Sequence, residues 1–288
     1  MANQKLLEVF LNTKRILCKS DYYIHVPKKI IHVTNSENMI PHLMGMQYIG
    51  RPDMFTGDKG AYMIKKGRLK YNSLEKLVQK YYRGKSKQDS MLAMVNGKID
   101  NLYRIEDMLS TYSVLYLYDV AANPESELQT DYLLVNHLDD RVLQLGMVKT
   151  DKKNVQEYHC NSFMVDYKAN DDYDLHYRNL TQRYEISKIV REDKITKRSE
   201  VIYQSKAAEE RELAGIEKMF VSANAVSDEK LVKAVLRMNV KFGKYHTMEQ
   251  LADVESLFKQ CSNKREESLV EAFCKEWKRV FESIEKQE

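Results

Sequence analysis

The sequence predicts an α+β fold: N-terminal helices, then a four-stranded antiparallel sheet, then a mainly helical C-terminal region. Apolar residues recur at helical spacing through much of the first 110 residues. Four runs rich in β-branched and aromatic residues follow between positions 112 and 167, joined by short polar links. Because the helices precede the strands instead of alternating with them, the pattern favours an antiparallel sheet over a parallel doubly wound one.

The N-terminal module begins with a predicted helix over residues 1–20, followed by two short strand-like runs, YYIHV and IIHVT. Polar residues 35–38 then precede a short helical turn that contains His42. Glycines punctuate residues 50–70, where AYMIKK suggests a short strand. Apolar spacing predicts two further helices, over 72–83 and 86–110.

The predicted sheet comprises residues 112–118, 131–137, 141–148 and 157–167. The link from His137 to Arg141 is short and acidic, which is typical of a hairpin turn, so we expect an antiparallel meander. Asn170, Asp171 and Asp172 interrupt the pattern. We therefore divide the chain into a module over 1–170 and a mainly helical region over 171–288, with one candidate hairpin at 184–203.

Composition and cysteine usage narrow the class of protein. The chain is 43% hydrophobic and 31% charged, which is typical of globular proteins. The four cysteines (Cys18, Cys160, Cys261 and Cys274) show no zinc-site spacing, and no apolar stretch approaches the length of a membrane span. The N-terminus lacks the apolar core of a secretory signal. We expect a cytoplasmic protein.

Basic residues are concentrated between positions 51 and 90. This segment contains eleven lysines and arginines against four acidic residues, although the net charge of the whole chain is only +4. Such a segment attracts phosphates through counterion release. The alternative is that these charges simply form the solvated face of a helix. The sequence therefore favours a phosphate-containing partner without identifying it.

Common nucleotide-binding and hydrolase motifs are missing: there is no GxxxxGK[ST], GxGxxG, GxSxG or HExxH. The remaining candidate is His42, in ENMIPHLMGMQYIG. A histidine in an apolar run is often a half-buried core residue, but His42 is followed by a basic, glycine-punctuated loop that contains Lys66. The last predicted strand adds Ser162.

Histidine, lysine and serine together suit RNA cleavage without a metal ion. The 2′-hydroxyl of RNA is itself the nucleophile, so the protein needs a general acid or base, here His42. Lys66 would stabilise the pentacovalent phosphate as a cation, and Ser162 or a tyrosine would orient it.

The segments ENMIPHLMGM, YLLVNHL, RVLQLGMV and CNSFMV, placed in helices and then a four-stranded meander, resemble the phage-associated barnase–EndoU–colicin–RelE-like (BECR fold) nucleases. The resemblance covers roughly residues 1–167. It implies RNA cleavage without a metal ion in a phage or mobile element, with His42 as the best catalytic candidate and Lys66 and Ser162 as further ones. It implies no cofactor.

Other residues are predicted to bind substrate. Basic and aromatic side chains near His42 would contact the RNA backbone, aromatic side chains of the first predicted strand would stack on unpaired bases, and a histidine of the last strand would share a sheet face with Ser162. The predicted set is Lys65, Lys70, Tyr71, Tyr116, Tyr118 and His159. The alternative for Tyr116 and Tyr118 is ordinary strand packing.

A second function remains open on the same fold. A catalytically inactive relative would bind RNA, or block a host defence complex as an inhibitor. The partner is therefore RNA or a host protein complex, and the two hypotheses differ in whether RNA is turned over. A structural role in a mobile element is a third hypothesis, which nothing in the sequence specifically favours.

Overall fold

The computed structural model describes residues 4–83, 88–150, 157–171 and 173–211. The chain divides into two compact units, Met1–Lys197 and Arg198–Glu288. The described part of the first unit contains seven α-helices: α1 (Lys5–Leu17), α2 (Ile40–Leu43), α3 (Pro52–Phe55), α4 (Gly57–Lys65), α5 (Leu74–Tyr81), α6 (Gln88–Asn101) and α7 (Ile105–Ser110). None of the helices within these ranges is long and apolar enough to cross a membrane.

The described residues contain nine strands, eight of which form one sheet in the first unit. They are β1 (Ser20–Val26), β2 (Lys29–Val33), β3 (Val114–Leu117), β4 (Tyr132–His137), β5 (Arg141–Lys149), β6 (Glu157–Tyr167), β7 (Arg183–Glu185), β8 (Lys188–Asp193) and β9 (Ser199–Gln204). The eight strands of the first unit lie in the order β7-β3-β4-β5-β6-β2-β1-β8. The second unit is described only through β9 and a helical segment at 206–211. The helices predicted beyond residue 211 lie outside the described residues.

The predicted meander is confirmed as β3 to β6, each strand antiparallel to the next. The prediction of a four-stranded sheet is wrong, because the β1–β2 hairpin and two later strands extend it. β2 joins β6 in parallel, through His32 opposite Glu157 and Val33 opposite Tyr158. β7 joins β3 at the other side, and β8 joins β1. The β2–β6 and β1–β8 pairings connect residues more than a hundred positions apart, and the β3–β7 pairing connects residues about seventy apart. Local sequence patterns do not encode such contacts.

Two local predictions are also corrected. Residues 61–65 of AYMIKK belong to α4 instead of a strand, and Lys66 caps that helix. Ala61 and Ile64 lie three residues apart and are both buried, and α4 packs on α2 and α3. The single helix predicted over 86–110 is interrupted after Asn101, whose side-chain amide donates to the carbonyl of Gly97. This local hydrogen bond competes with continued helix and bends the chain into α7.

The two faces of the sheet pack against different layers. On one face Tyr22 donates a hydrogen bond to the carbonyl of Ile16 in α1, and Arg141 donates to Asn101 at the end of α6. The helical layer therefore covers this face. The other face bears a second core, which includes Leu133, Val135, Val142 and Met164 of the strands together with residues of the segments that follow β3 and β6.

Candidate functional site

His42 lies on α2, a single helical turn that packs against α1, α4 and β6. Its flanking residues Pro41 and Leu43 are buried, whereas the imidazole is half-buried. Its Nε2 lies 3.5 Å from Nε2 of the Gln47 amide. Burial lowers the pKa of His42, and the positive charge of Lys98 lowers it further. The side chain is therefore held neutral to a lower pH than a free histidine, as a general base requires.

Lys98, on α6, is the residue near His42 that sequence reasoning missed. It is only 2% exposed, and burial lowers its pKa to about 8, against the raising effect of Asp166. Its ammonium lies 5.3 Å from the centre of the Tyr48 ring. A lysine on a polar helix is normally solvated, so no local pattern distinguishes this one. We call His42, Gln47 and Lys98 the His42 cluster.

Gly45, in the PHLMGM segment, is shaped around this lysine. It adopts a left-handed backbone conformation with a φ of 80°, and a Cβ placed there would lie 3.1 Å from Cδ of Lys98. Glycine is the residue that tolerates both conditions. The PHLMGM segment, which contains His42, therefore also leaves space for the stem of Lys98.

The basic side chains predicted to bind substrate surround α4 and its exit. Lys66 caps the C-terminus of α4 and is exposed. Lys65 forms an ion pair with Glu37, which Lys14 also contacts at 2.7 Å. Lys70 is exposed at the start of a 3₁₀ turn.

Tyr71, the first residue of that turn, has two contacts that orient its ring. Its hydroxyl donates to the Asn96 side chain at 3.2 Å. The Lys5 ammonium lies 4.2 Å from the ring centre. The tyrosine is therefore fixed between α1 and α6.

Ser162 lies on β6 and faces away from the helical layer. It stands opposite Gly146 in the register, two positions before Met164 of the second core. A Cβ on Gly146 would lie 3.2 Å from Cβ of Ser162, which shows that the two residues share a face. Among the described residues no hydrogen bond or ion pair joins His42, Lys66 and Ser162, although α2 packs on both α4 and β6.

His159 shares the face of Ser162 because of a β-bulge. They are three positions apart, a spacing that puts two side chains on opposite faces of a regular strand. The register shifts between Gly146 and Met147, so that Asn161 is the extra residue, and His159 stands opposite Val148. The hydroxyl of Thr150 lies 3.2 Å from its Nδ1, and burial lowers the pKa of His159.

Tyr116 and Tyr118 both belong to the second core. Tyr118 is only 7% exposed and donates a hydrogen bond to Ser126 Oγ at 2.8 Å. The Tyr116 ring packs 6.0 Å from the ring of Tyr177. The two residues share a face, as the period of two predicts, but their rings are packed against protein in the way the strand-packing alternative expects.

A further polar group, centred on His32, lies on the same face of the sheet as His159. Nδ1 of His32 lies 3.8 Å from the Glu157 carboxylate, and its Nε2 lies 3.9 Å from Asp21. Tyr23 stacks on the imidazole with ring centres 4.7 Å apart. Alternation along β1 and β2 places Tyr23 and His32 on one face, but only the β2–β6 pairing brings Glu157 beside them.

Within the described ranges, no group of three or more histidine, cysteine, aspartate or glutamate side chains is arranged to hold a metal ion.

A model of the family described as phage-Barnase-EndoU-ColicinE5/D-RelE like nuclease 4 (PBECR4) matches residues 5–208. No curated protein and no solved structure matches the chain. The matched range includes the His42 cluster and every strand of the sheet.

Proposed function

Because the chain belongs to the phage-Barnase-EndoU-ColicinE5/D-RelE like nuclease 4 family, we propose that it is a metal-independent endoribonuclease with His42 as its general acid or base. One observation supports this choice above the others. Within the family range, the half-buried imidazole of His42 lies in the electrostatic field of a buried lysine, and both groups have shifted pKa values. Shifted pKa values in one cluster are characteristic of catalytic sites.

The proposed reaction uses the RNA as its own nucleophile. His42 takes the proton of a 2′-hydroxyl, the 2′-oxygen bonds to phosphorus, and the bond from phosphorus to the 5′-oxygen breaks. The departing 5′-oxygen takes up a proton, so the products are a 2′,3′-cyclic phosphate and a free 5′-hydroxyl. In this proposal Lys66 supplies a cation for the phosphate. The role predicted for Ser162, a hydroxyl that orients the phosphate, requires the RNA to reach the sheet face that points away from the helical layer as well.

Cleavage of a labelled RNA in EDTA tests the proposal. We expect cleavage that resists EDTA and leaves 2′,3′-cyclic phosphate ends, and a loss of roughly 10²- to 10⁴-fold in His42→Ala, the usual contribution of a general acid or base. His137→Gln, an exposed histidine at the end of β4, is the matched control and should cleave like the wild type. Equal rates in His42→Ala and the wild type would remove His42 from the mechanism.

Variants of the other predicted residues divide the site further. Lys66→Gln and Ser162→Ala are each expected to slow cleavage with less effect than His42→Ala. His159→Ala tests the sheet face that bears Ser162. If His159→Ala and Ser162→Ala abolish cleavage while His42→Ala does not, the reaction takes place on that face.

A binding protein without catalysis is the second candidate, and the direction of Ser162 favours it. Ser162 faces away from the helical layer, and no hydrogen bond within the described residues joins it to His42. In this case the protein would bind RNA or a host defence complex in stable stoichiometry. An RNA-turnover assay beside a pulldown with radiolabelled RNA and with defined host complexes separates the two functions, since an inhibitor retains its partner and releases no RNA fragments.

A further inference from the structure

The His42 cluster contains an acceptor atom without a partner. Oε1 of Gln47 is buried and makes no hydrogen bond to any described residue. A buried polar atom left in this state costs free energy, so native proteins usually satisfy it. A ligand hydroxyl that donates to this oxygen would restore the missing bond.

The same cluster contains a cation without an ion pair. Within the described residues, the Lys98 ammonium makes no hydrogen bond or salt bridge, and the charged group that acts on it most strongly is Asp166. The Asp166 carboxylate already accepts a hydrogen bond from Gln144. A buried ammonium without a paired anion is costly, and an anion bound beside it would offset that cost.

The backbone around these two groups is built for the lysine. Gly45 has a left-handed φ of 80°, and any side chain there would meet the Lys98 stem at 3.1 Å. The short turn from α2 to Gln47 therefore packs on the stem of Lys98, and the charge of Lys98 acts on His42.

We propose that the His42 cluster binds the ribose-phosphate unit of RNA, with Lys98 contacting a non-bridging phosphate oxygen and Gln47 accepting the 2′-hydroxyl. RNA offers a group for each: its phosphate is an anionic acceptor for the Lys98 ammonium, and its 2′-hydroxyl is a donor for Oε1 of Gln47. The 2′-hydroxyl has one proton, which it donates to Gln47 in the bound state. It then turns to Nε2 of His42, 3.5 Å from the amide nitrogen of Gln47, and the imidazole takes that proton in the reaction. This assignment rests on the proposed ribonuclease function, and it adds Lys98 to Lys66 as a cation for the phosphate.

Binding of small probes in EDTA tests the site without relying on cleavage. The probes are adenosine 3′-monophosphate, its 2′-deoxy analogue and inorganic phosphate, measured by calorimetry and by the imidazole resonances of His42. We expect Lys98→Met to weaken binding of all three at least tenfold. Gln47→Leu should remove the preference for the ribonucleotide over its deoxy analogue, and Lys206→Met, an exposed lysine of the described second unit, should change neither.

Thermal unfolding separates a binding role from a structural one. Replacing a buried, unpaired ammonium by methionine should raise the melting temperature at pH 7, whereas a lysine that holds the fold together would lower it. Because the pKa of Lys98 is lowered from its ordinary value of 10.5 to about 8, its charge destabilises the fold most below pH 8. The gain in Lys98→Met should therefore shrink as the pH rises from 8 towards 10.5.

The outcomes are distinct for the two proposals. If the nucleotide binds through Lys98 but RNA is not cleaved, the binding site stands and the ribonuclease function fails. If RNA is cleaved and Lys98→Met binds phosphate as tightly as the wild type, the cluster is not the phosphate site. Should Lys98→Met fail to fold, Gln47→Leu at its half-buried position gives an independent answer, and an unchanged ribose preference in that variant contradicts the proposal.

Discussion

The pKa values of His42 and Lys98 are both lowered, and burial is the main cause for each. Burial disfavours the charged form of both groups, so each pKa falls below its ordinary value. His42 is neutral above its lowered pKa, and Lys98 is charged below about pH 8. The pH range between these limits is the one in which His42 accepts a proton while Lys98 can bind phosphate.

Activity should therefore follow a bell-shaped pH profile. We expect kcat/KM for RNA to fall on the acidic side below the ordinary histidine pKa of 6.5, as His42 becomes protonated, and on the basic side near pH 8, as Lys98 loses its charge. Lys98→Arg keeps its charge at high pH, so its basic limb should move upward. A basic limb that is identical in Lys98→Arg and in the wild type would assign it to another group.

At the scale of single elements, two irregularities decide where side chains lie. The left-handed turn at Gly45 follows α2 and brings the segment after it onto α6. The bulge at Asn161 in β6 turns His159 onto the face of Ser162. Both are local departures from regular geometry next to polar side chains, where such departures are commonly found.

Gly45→Ala should destabilise the fold through Lys98. Alanine at a left-handed φ costs about 1 kcal/mol, and the 3.1 Å contact with Lys98 Cδ adds to it. The total is expected to be about 1–3 kcal/mol by urea unfolding. In a Lys98→Ala background the contact is absent, so the same substitution should cost less, and a double-mutant cycle measures the difference. Strict additivity would show that the contact does not limit position 45.

For the whole molecule, the basic segment remains a charged surface after folding. Lys66, Arg68 and Lys80 are exposed, whereas Lys65 is paired with Glu37. Lys85 and Lys87, which belong to the same segment, lie outside the described residues. The exposed members are positioned on α4, its exit and α5, close in the chain to α2, and they are available to contact phosphates.

RNA affinity should accordingly depend on salt. With His42→Ala as a non-cleaving variant, we expect affinity to fall steeply between about 50 and 200 mM salt. Lys66→Gln combined with Lys80→Gln should reduce the slope of log K against log salt by about 0.7 for each phosphate that the protein no longer neutralises. Lys206→Gln serves as the control for general charge. A slope that these changes leave intact would place the RNA elsewhere on the surface.

The sequence by itself determined the α+β class of the fold, the four strands of the meander and the family, and it predicted His42 as the catalytic candidate. These follow from local periodicity and from a contiguous motif, both of which are properties of neighbouring residues. Only the tertiary structure decided that the sheet of the first unit has eight strands, that Ser162 turns away from the helical layer, and that Lys98 lies buried near His42. Each of these depends on a contact between distant parts of the chain: β2 with β6, β5 with a bulged β6, and Gly45 with Lys98 of α6. No pattern within one segment encodes such a contact, because its free energy appears only when both partners are in place.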